Sequence, residues 1–183
     1  MKRVTGFCGS PRKGLNTESL VKKVLEGAEN KGAEIKLYNL AKMNISGCKG
    51  CLACRKDGIC SIKDDMQEII AEIKNSDAVV IGSPVYMLQM TAQTKAFVDR
   101  LFPLIRGDFT PVLKGTKAVW AFTQGAENTE AFRSYFEHNE SMLKLFGFIV
   151  EKTLVAGNTS VKGDVEKQEN VIKEAVEIGS NLV

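Results

Sequence analysis

The sequence has 183 residues, of which 44% are hydrophobic and 26% are charged, and its formal net charge is +3. This length and composition are typical of one soluble domain with a full hydrophobic core. A charge this small, with no dense block of Lys and Arg, argues against a nucleic-acid partner, and no segment approaches the length of a transmembrane helix. We therefore expect residues 1–183 to form a single domain in the cytoplasm, without nucleic acid or membrane association.

Apolar runs alternate with amphipathic helical stripes along the chain. The runs predict buried strands at residues 4–8, 35–38, 78–82, 117–123 and 149–156. The stripes predict helices whose first apolar residues are Leu20, Met66, Phe97, Phe132 and Val171. This alternation predicts an α/β fold, with a five-stranded parallel sheet and helices on both faces. The flavodoxin-like strand order 2-1-3-4-5 places a ligand where the order reverses, beyond strands 1 and 3.

The loop over residues 9–17 leads from the first strand into the first helix. A helix N-terminus in that place binds anions through its free N–H groups and its dipole. The loop adds polar donors at Ser10, Arg12, Asn16 and Thr17. Gly9 and Gly14 have G-x-x-x-x-G spacing, but Leu15 stands where a triphosphate-binding loop needs Lys. The loop therefore predicts a single phosphate on a ligand other than ATP or a Rossmann-bound dinucleotide; the alternative is a plain surface loop.

Four of the five cysteines lie in residues 48–60, with the spacing C-x2-C-x2-C-x5-C. Thiols stay reduced in the cytoplasm, so this run favours metal or redox chemistry over a disulfide framework. Zinc sites usually use two separated C-x2-C pairs, whereas three ligands from one stretch suit the corners of a cubane cluster. The run departs from the ferredoxin pattern C-x2-C-x2-C-x3-C-P in its last gap and in Ser61. Free thiols and a redox-active disulfide remain alternatives, and Cys8 is expected in the core.

The loops after the third and fourth strands complete the predicted ligand site. Pro84 stiffens the chain after the third strand, and Tyr86 and Met87 offer flat or polarizable apolar surface. Together with backbone amides, this surface suits a planar heteroaromatic group with a polar edge. The alternative is that Tyr86 and Met87 only fill the core. The loop after the fourth strand, over residues 123–127, is small and polar.

These segments resemble the NAD(P)H-dependent FMN reductase family of flavodoxin-like proteins, and the resemblance extends over essentially the whole chain. The matching segments are Ser10-Pro11-Arg12 with Asn16-Thr17, Ser83-Pro84-Val85-Tyr86, and Lys95-x-Phe97-x-Asp99-Arg100. The resemblance implies FMN as cofactor and NAD(P)H as co-substrate. It implies phosphate contacts from Ser10, Arg12, Asn16 and Thr17. It implies isoalloxazine contacts from Pro84, Val85, Tyr86, Met87, Thr123, Gln124 and Gly125.

The cysteine run and the segment Ile62-Lys63-Asp64-Asp65-Met66 resemble the iron-sulfur flavoproteins, a branch of that family. The resemblance implies a Cys-rich insertion at about residues 46–63 that binds one 4Fe-4S cluster through Cys48, Cys51, Cys54 and Cys60. It also implies a homodimer or homotetramer.

We expect an oxidoreductase in which FMN carries the chemistry, so that no protein residue is needed as a catalytic acid or base. Electrons would pass from NAD(P)H or another donor to an acceptor, with the 4Fe-4S cluster on the route. The alternative is a flavodoxin-type electron carrier that docks redox partners and turns over no small molecule.

Overall fold

The chain, described here over residues 1–183 by a computed structural model, is built around a parallel sheet. Its long strands follow the order β2-β1-β3-β5-β6, which confirms the predicted flavodoxin-like order. Their bounds are β1 Arg3–Cys8, β2 Glu34–Asn39, β3 Ala78–Tyr86, β5 Lys117–Thr123 and β6 Ile149–Ala156. A two-residue strand, β4 (Gln89–Met90), pairs antiparallel with the end of β3.

Helices cover both faces of the sheet, as predicted. They are α1 Asn16–Glu29, α2 Cys54–Asp57, α3 Met66–Asn75, α4 Ala92–Asp99, α5 Arg133–Leu145 and α6 Glu169–Ser180. Two 3-10 turns, Leu40–Lys42 and Phe102–Leu104, link other elements. One apolar core lies between the sheet and α1 with α6, and a larger one lies beneath α3, α4 and α5. None of these helices has the length and apolar character needed to span a bilayer.

The strand register brings the ends of β1, β3 and β5 to one level at the carboxyl edge of the sheet. Cys8 pairs with Gly82, and Pro84 pairs with Thr123. Gly9 N–H continues the ladder by donating to Gly82 O at 2.8 Å. A Cβ at Gly82 would lie 2.4 Å from Cγ2 of Val21 in α1, so glycine lets the helix pack closely there. The loops at residues 9–17, 84–90 and 123–127 therefore start side by side.

The segment after β3 is a hairpin that the sequence pattern did not predict. β3 continues to Tyr86, and the tip residues Met87 and Leu88 both have positive φ, 45° and 69°. A two-residue hairpin with positive φ at both central positions normally uses Asn or Gly, because side chains with a Cβ are strained there. Met87 is 93% exposed and Leu88 is 65% exposed. A strained and exposed apolar tip therefore stands beside the carboxyl edge of the sheet.

Candidate functional site

A small cavity of about 60 Å³ opens where the three loops meet. Every residue predicted to contact the cofactor lines it except Met87, whose side chain lies outside at the hairpin tip. The lining residues are Ser10, Arg12, Leu15, Asn16, Thr17, Pro84, Val85, Tyr86, Thr123, Gln124, Gly125 and Thr159. A single water molecule needs roughly 10–15 Å³ of cavity volume, so a cavity of about 60 Å³ suits a phosphate group. A tricyclic ring would need the open surface beside it, near Tyr86.

The first turn of α1 forms one end of this cavity, and its free N–H groups suit an anion. No side chain caps the helix, which leaves N–H groups of the first turn free. Ser10 and Thr17 are buried beside it, and Thr17 Oγ1 lies 2.6 Å from Thr123 Oγ1. Arg12 is exposed at the rim, where its Nη1 donates to Ser160 O at 3.3 Å. Backbone donors, two hydroxyls and one guanidinium thus surround a site whose helix dipole favours negative charge.

The side chain of Asn16 has a structural role that the sequence pattern did not indicate. Its Nδ2 donates to Val161 O at 2.7 Å, and its Oδ1 accepts from Val165 N at 3.2 Å. Both ends of the side chain therefore hold the segment after β6 against α1. The predicted phosphate contact of Asn16 would come from its backbone N–H, which belongs to the uncapped first turn.

Gln124 lines the cavity and has a buried acceptor without a hydrogen-bond partner. Its side chain is buried, and Nε2 donates to Ala126 O and Asn128 O at 3.2 and 2.8 Å. The Oε1 atom has no hydrogen-bond partner within the chain. A buried acceptor left without a donor is costly, so this atom fits a ligand that carries hydroxyl or N–H groups. Thr159, whose Oγ1 donates to Gln124 O at 2.9 Å, also lines the cavity and was missed from sequence.

The four clustered cysteines line a second cavity of about 260 Å³, together with Asp99, the last residue of α4, and Phe102 of the following 3-10 turn. They are Cys48, Cys51, Cys54 and Cys60. Cys54 begins the short helix α2, which ends at Gly58 with φ of 74°. This left-handed residue turns the chain back so that the cysteine after the long gap joins the others. The sulfurs are not gathered as ligands of a single metal ion; a cubane cluster would hold them at separate corners.

Local hydrogen bonds already reach the thiols of the cysteine loop. Gly50 N–H donates to Cys48 Sγ at 3.4 Å, and Cys51 Sγ lies 3.3 Å from Ser61 Oγ. The Ser61 hydroxyl and backbone N–H groups lower the pKa of the Cys51 thiol. Burial raises the pKa of Cys54, and the charges of the other three thiols raise it further.

A buried ion pair fixes both ends of the cysteine loop. The side chains of Asp64 and Arg100 are 2% and 1% exposed, and two guanidinium nitrogens contact the carboxylate at 2.7 and 2.8 Å. Asp64 also accepts from Ser46 N at 2.9 Å, and Arg100 donates to Ser46 O at 2.7 Å. Burial alone would raise the pKa of Asp64, but these bonds and one from Met66 N hold it below its usual value. The pair therefore anchors residues 46 and 64 to the end of α4.

The remaining cysteine, Cys8, is 1% exposed within β1, and the prediction that it packs in the core is confirmed. Burial raises the pKa of its thiol to about 11. Cys8 is therefore protonated at neutral pH and takes no part in the cysteine loop.

The two cavities lie at opposite ends of α4 and share no lining residue. Thr91, at the N-terminal end of this helix, donates through Oγ1 to Gly9 O at 2.7 Å and through its N–H to Ser83 Oγ at 3.1 Å. Asp99 and Phe102, at the other end, line the cysteine cavity. Eight helical residues span about 12 Å. Within one chain, the length of α4 therefore separates the predicted cofactor site from the cysteines.

The chain matches the family model described as NADPH-dependent FMN reductase over residues 2–153. It is 33% identical to an iron-sulfur flavoprotein of Archaeoglobus fulgidus, over 98% of this chain and 78% of the relative. It is 39% identical to an iron-sulfur flavoprotein of Methanosarcina thermophila, over 58% of this chain and only 56% of the relative. An FMN-dependent NADH-azoreductase from Bacillus anthracis, solved in complex with FMN, has the same fold at 18% identity and a TM-score of 0.72, over 99% of each chain.

Proposed function

Since the chain belongs to the NADPH-dependent FMN reductase family and is therefore an oxidoreductase, we propose that it binds FMN at the carboxyl edge of its sheet and accepts electrons from NAD(P)H. The observation that carries this proposal is the cavity at the strand-order reversal. It is lined by the uncapped first turn of α1 and by Gln124, whose Oε1 has no hydrogen-bond partner. The first suits the phosphate of FMN, and the second suits a hydroxyl or ring N–H. The residues present therefore fit the cofactor.

The chain supplies binding and orientation in this proposal. Ser10, Thr17, the first turn of α1 and Arg12 would hold the phosphate, while the loops at residues 84–87 and 123–125 would lie along the isoalloxazine ring. When bound, FMN accepts a hydride and can release single electrons. The backbone N–H groups of these loops would orient the polar edge of the ring, and the surface of Tyr86 would exclude water from one side.

We further propose that Cys48, Cys51, Cys54 and Cys60 hold one 4Fe-4S cluster. Its support is the shared cavity, the return of the chain at Gly58, and the similarity to proteins named iron-sulfur flavoproteins. Lys49, Arg55 and Lys56 would offset part of the negative charge of a thiolate-bound cluster. Such a cluster would let the protein convert two-electron input into one-electron output. If purified protein assembles no iron and sulfide, the chain is an FMN reductase whose thiols are structural or redox-responsive.

We propose a homo-oligomer, either a dimer or a tetramer, in the reducing environment of the cytoplasm. The support is the exposed apolar surface that flanks both cavities, at the tip residues Met87 and Leu88 and at Leu52 of the cysteine loop. Burial of these side chains against a second copy would remove apolar surface from water. A sedimenting species of only 20.1 kDa at micromolar concentration would contradict this proposal.

The FMN site is tested by titrating apoprotein with FMN and following the flavin fluorescence. A charge-assisted hydrogen bond contributes roughly 1.5–3 kcal/mol, so the double variant Arg12→Ala, Thr17→Ala should raise the Kd for FMN about tenfold or more. Lys13→Ala removes a neighbouring exposed charge that does not line the cavity and should leave the Kd near wild type. An unchanged Kd in the double variant contradicts the site. Oxidation of NAD(P)H by the FMN-loaded protein separates an enzyme from a carrier.

A further inference from the structure

A third cavity, of about 610 Å³, borders the short helix α2 and has an excess of positive charge. Its volume lies within the range of about 300–1,000 Å³ that is usual for small-molecule sites. The charged residues that line it are Arg55, Lys56, Lys74, Arg106, Asp57 and Asp108. Four cations and two carboxylates give this cationic cavity a formal charge balance of +2.

The positive charge of the cationic cavity is not compensated within the chain. None of its four cations forms a salt bridge. The two carboxylates accept backbone N–H groups instead: Asp57 Oδ1 accepts from Ile59 N at 2.9 Å, and Asp108 Oδ1 accepts from Thr110 N at 3.0 Å. Unpaired cations around one concave surface favour an anionic ligand, since charge-assisted hydrogen bonds are the strong ones.

The wall of the cationic cavity is held in place by contacts within the chain. The guanidinium of Arg55 lies over the ring of Phe109, 3.8 Å from its centroid, and donates to Gly107 O. Arg106 N–H donates to Thr110 O at 2.8 Å. These contacts hold the loop that carries Arg106 against α2. A ligand would therefore meet a site that is already formed, which lowers the cost of ordering it on binding.

An apolar cavity of about 210 Å³ adjoins the cationic one. The two cavities share Gly58, Lys74 and Pro103 as lining residues. The other apolar residues that line the smaller cavity are Ile59, Met66, Ile70 and Ala71. Ile59 is 57% exposed, so part of this apolar surface is open to solvent. Unpaired positive charge and open apolar surface thus lie side by side.

We propose that these two adjoining cavities bind a phosphate monoester of an apolar alcohol. The phosphate would lie in the cationic cavity, whose balance of +2 matches the charge of about −1.5 to −2 on a phosphate monoester at neutral pH. The apolar body would lie against Ile59, where its removal from water adds affinity. This site shares no lining residue with the predicted FMN cavity. It depends on neither FMN nor the proposed cluster.

The test is isothermal titration calorimetry of the full chain, loaded with FMN and freed of excess FMN, with 1-naphthyl phosphate as the probe. Inorganic phosphate and 1-naphthol, the two halves of the probe, are titrated separately. We expect the whole probe to bind at least about tenfold more tightly than either half, because it alone contacts both cavities.

Substitutions in each cavity locate the bound probe. The double variant Lys74→Ala, Arg106→Ala should raise the Kd for 1-naphthyl phosphate about tenfold or more. Ile59→Ser should raise it about threefold through lost apolar contact. Because Arg106 also donates to Pro111 O, Lys74→Glu repeats the charge test without altering that loop. The control Lys31→Ala changes an exposed residue that lines neither cavity and should keep the wild-type Kd.

Three results would overturn the proposal. They are an unchanged Kd in both Lys74→Glu and the double variant, binding of 1-naphthol as tight as that of 1-naphthyl phosphate, and no measurable binding of the probe to wild type. None of these results bears on the FMN site, which is tested separately through Arg12 and Thr17.

Discussion

Replacing Asp64 by Asn tests whether the buried ion pair anchors the cysteine loop. The substitution leaves Arg100, which is 1% exposed, without its counter-ion, and it weakens the bonds to Ser46 N and Met66 N. Removing one partner of a buried ion pair typically costs about 3–5 kcal/mol. Because Asn can still accept some of these hydrogen bonds, we expect the lower end, about 3 kcal/mol of the free energy of unfolding.

The measurement is urea unfolding followed by circular dichroism. With a slope of about 2 kcal/mol per molar urea, a loss of 3 kcal/mol lowers the midpoint by about 1.5 M. Asp65→Asn is the matched control, because Asp65 accepts from Asn44 N at 2.7 Å but pairs with no cation. That control should move the midpoint by much less. A midpoint for Asp64→Asn equal to that of Asp65→Asn refutes the anchoring role.

The pH dependence supplies an independent check on the same pair. The pKa of Asp64 is lower in the folded protein than its ordinary value of 3.8. Its contribution to stability is therefore present above pH 3.8 and is lost as the pH falls through the folded pKa. The difference in unfolding free energy between wild type and Asp64→Asn should narrow below pH 3.8. If the difference in unfolding free energy stays constant below pH 3.8, the ionised Asp64 carboxylate does not stabilise the fold.

Two further predictions concern the thiols. Reconstituted Cys51→Ala protein should lack iron, but its Kd for FMN should equal the wild-type value, because the two cavities share no lining residue. Wild-type iron content in this variant would show that Cys51 is not a cluster ligand. In native metal-free protein at neutral pH, iodoacetamide should label Cys51 well before Cys8, since Cys8 is buried with a pKa of about 11 and the pKa of Cys51 is lowered. If peptide mapping finds Cys8 labelled as fast as Cys51, the thiol of Cys8 is not buried in β1.

The sheet could be predicted because both of its faces are covered. Strands buried on two sides appear as continuous apolar runs, and the bounds expected for β5 and β6 agree with the structure. The cavity could be predicted for the same reason, since a parallel sheet of known order brings loops 9–17, 84–87 and 123–125 together. Thr159 was missed because it follows β6, and the loop after that strand was not among those inspected.

Three other features could not be predicted from local sequence patterns. Asp64 and Arg100 are 36 positions apart, and the sequence placed them in two separate segments of the family resemblance without indicating that they pair. The apolar residues Leu101 and Phe102 continued the helical stripe, yet α4 ends at Asp99 and a 3-10 turn containing Pro103 follows. The hairpin tip at Met87 and Leu88 lacks the Asn or Gly from which a two-residue turn is normally predicted. The Asp64–Arg100 ion pair and the strained turn at Met87 and Leu88 therefore shape the surroundings of the two cavities. Neither can be predicted from the periodicity of apolar residues in the sequence.

The separation of the two cavities links the proposed cluster to the proposed oligomer. An α4 about 12 Å long stands between them in one chain, whereas the apolar hairpin tip beside one and Leu52 beside the other are exposed. A second copy seated on these surfaces would bring the cysteine cavity of one chain towards the FMN site of another. Leu88→Asp places a charge on that surface and should yield monomers that still bind FMN and iron. Electron transfer between the two cofactors should then slow in stopped-flow absorbance. The control Lys31→Ala changes an exposed residue just before β2, at the opposite edge of the sheet, and should remain oligomeric and fast. Monomers with undiminished transfer would place the route within one chain.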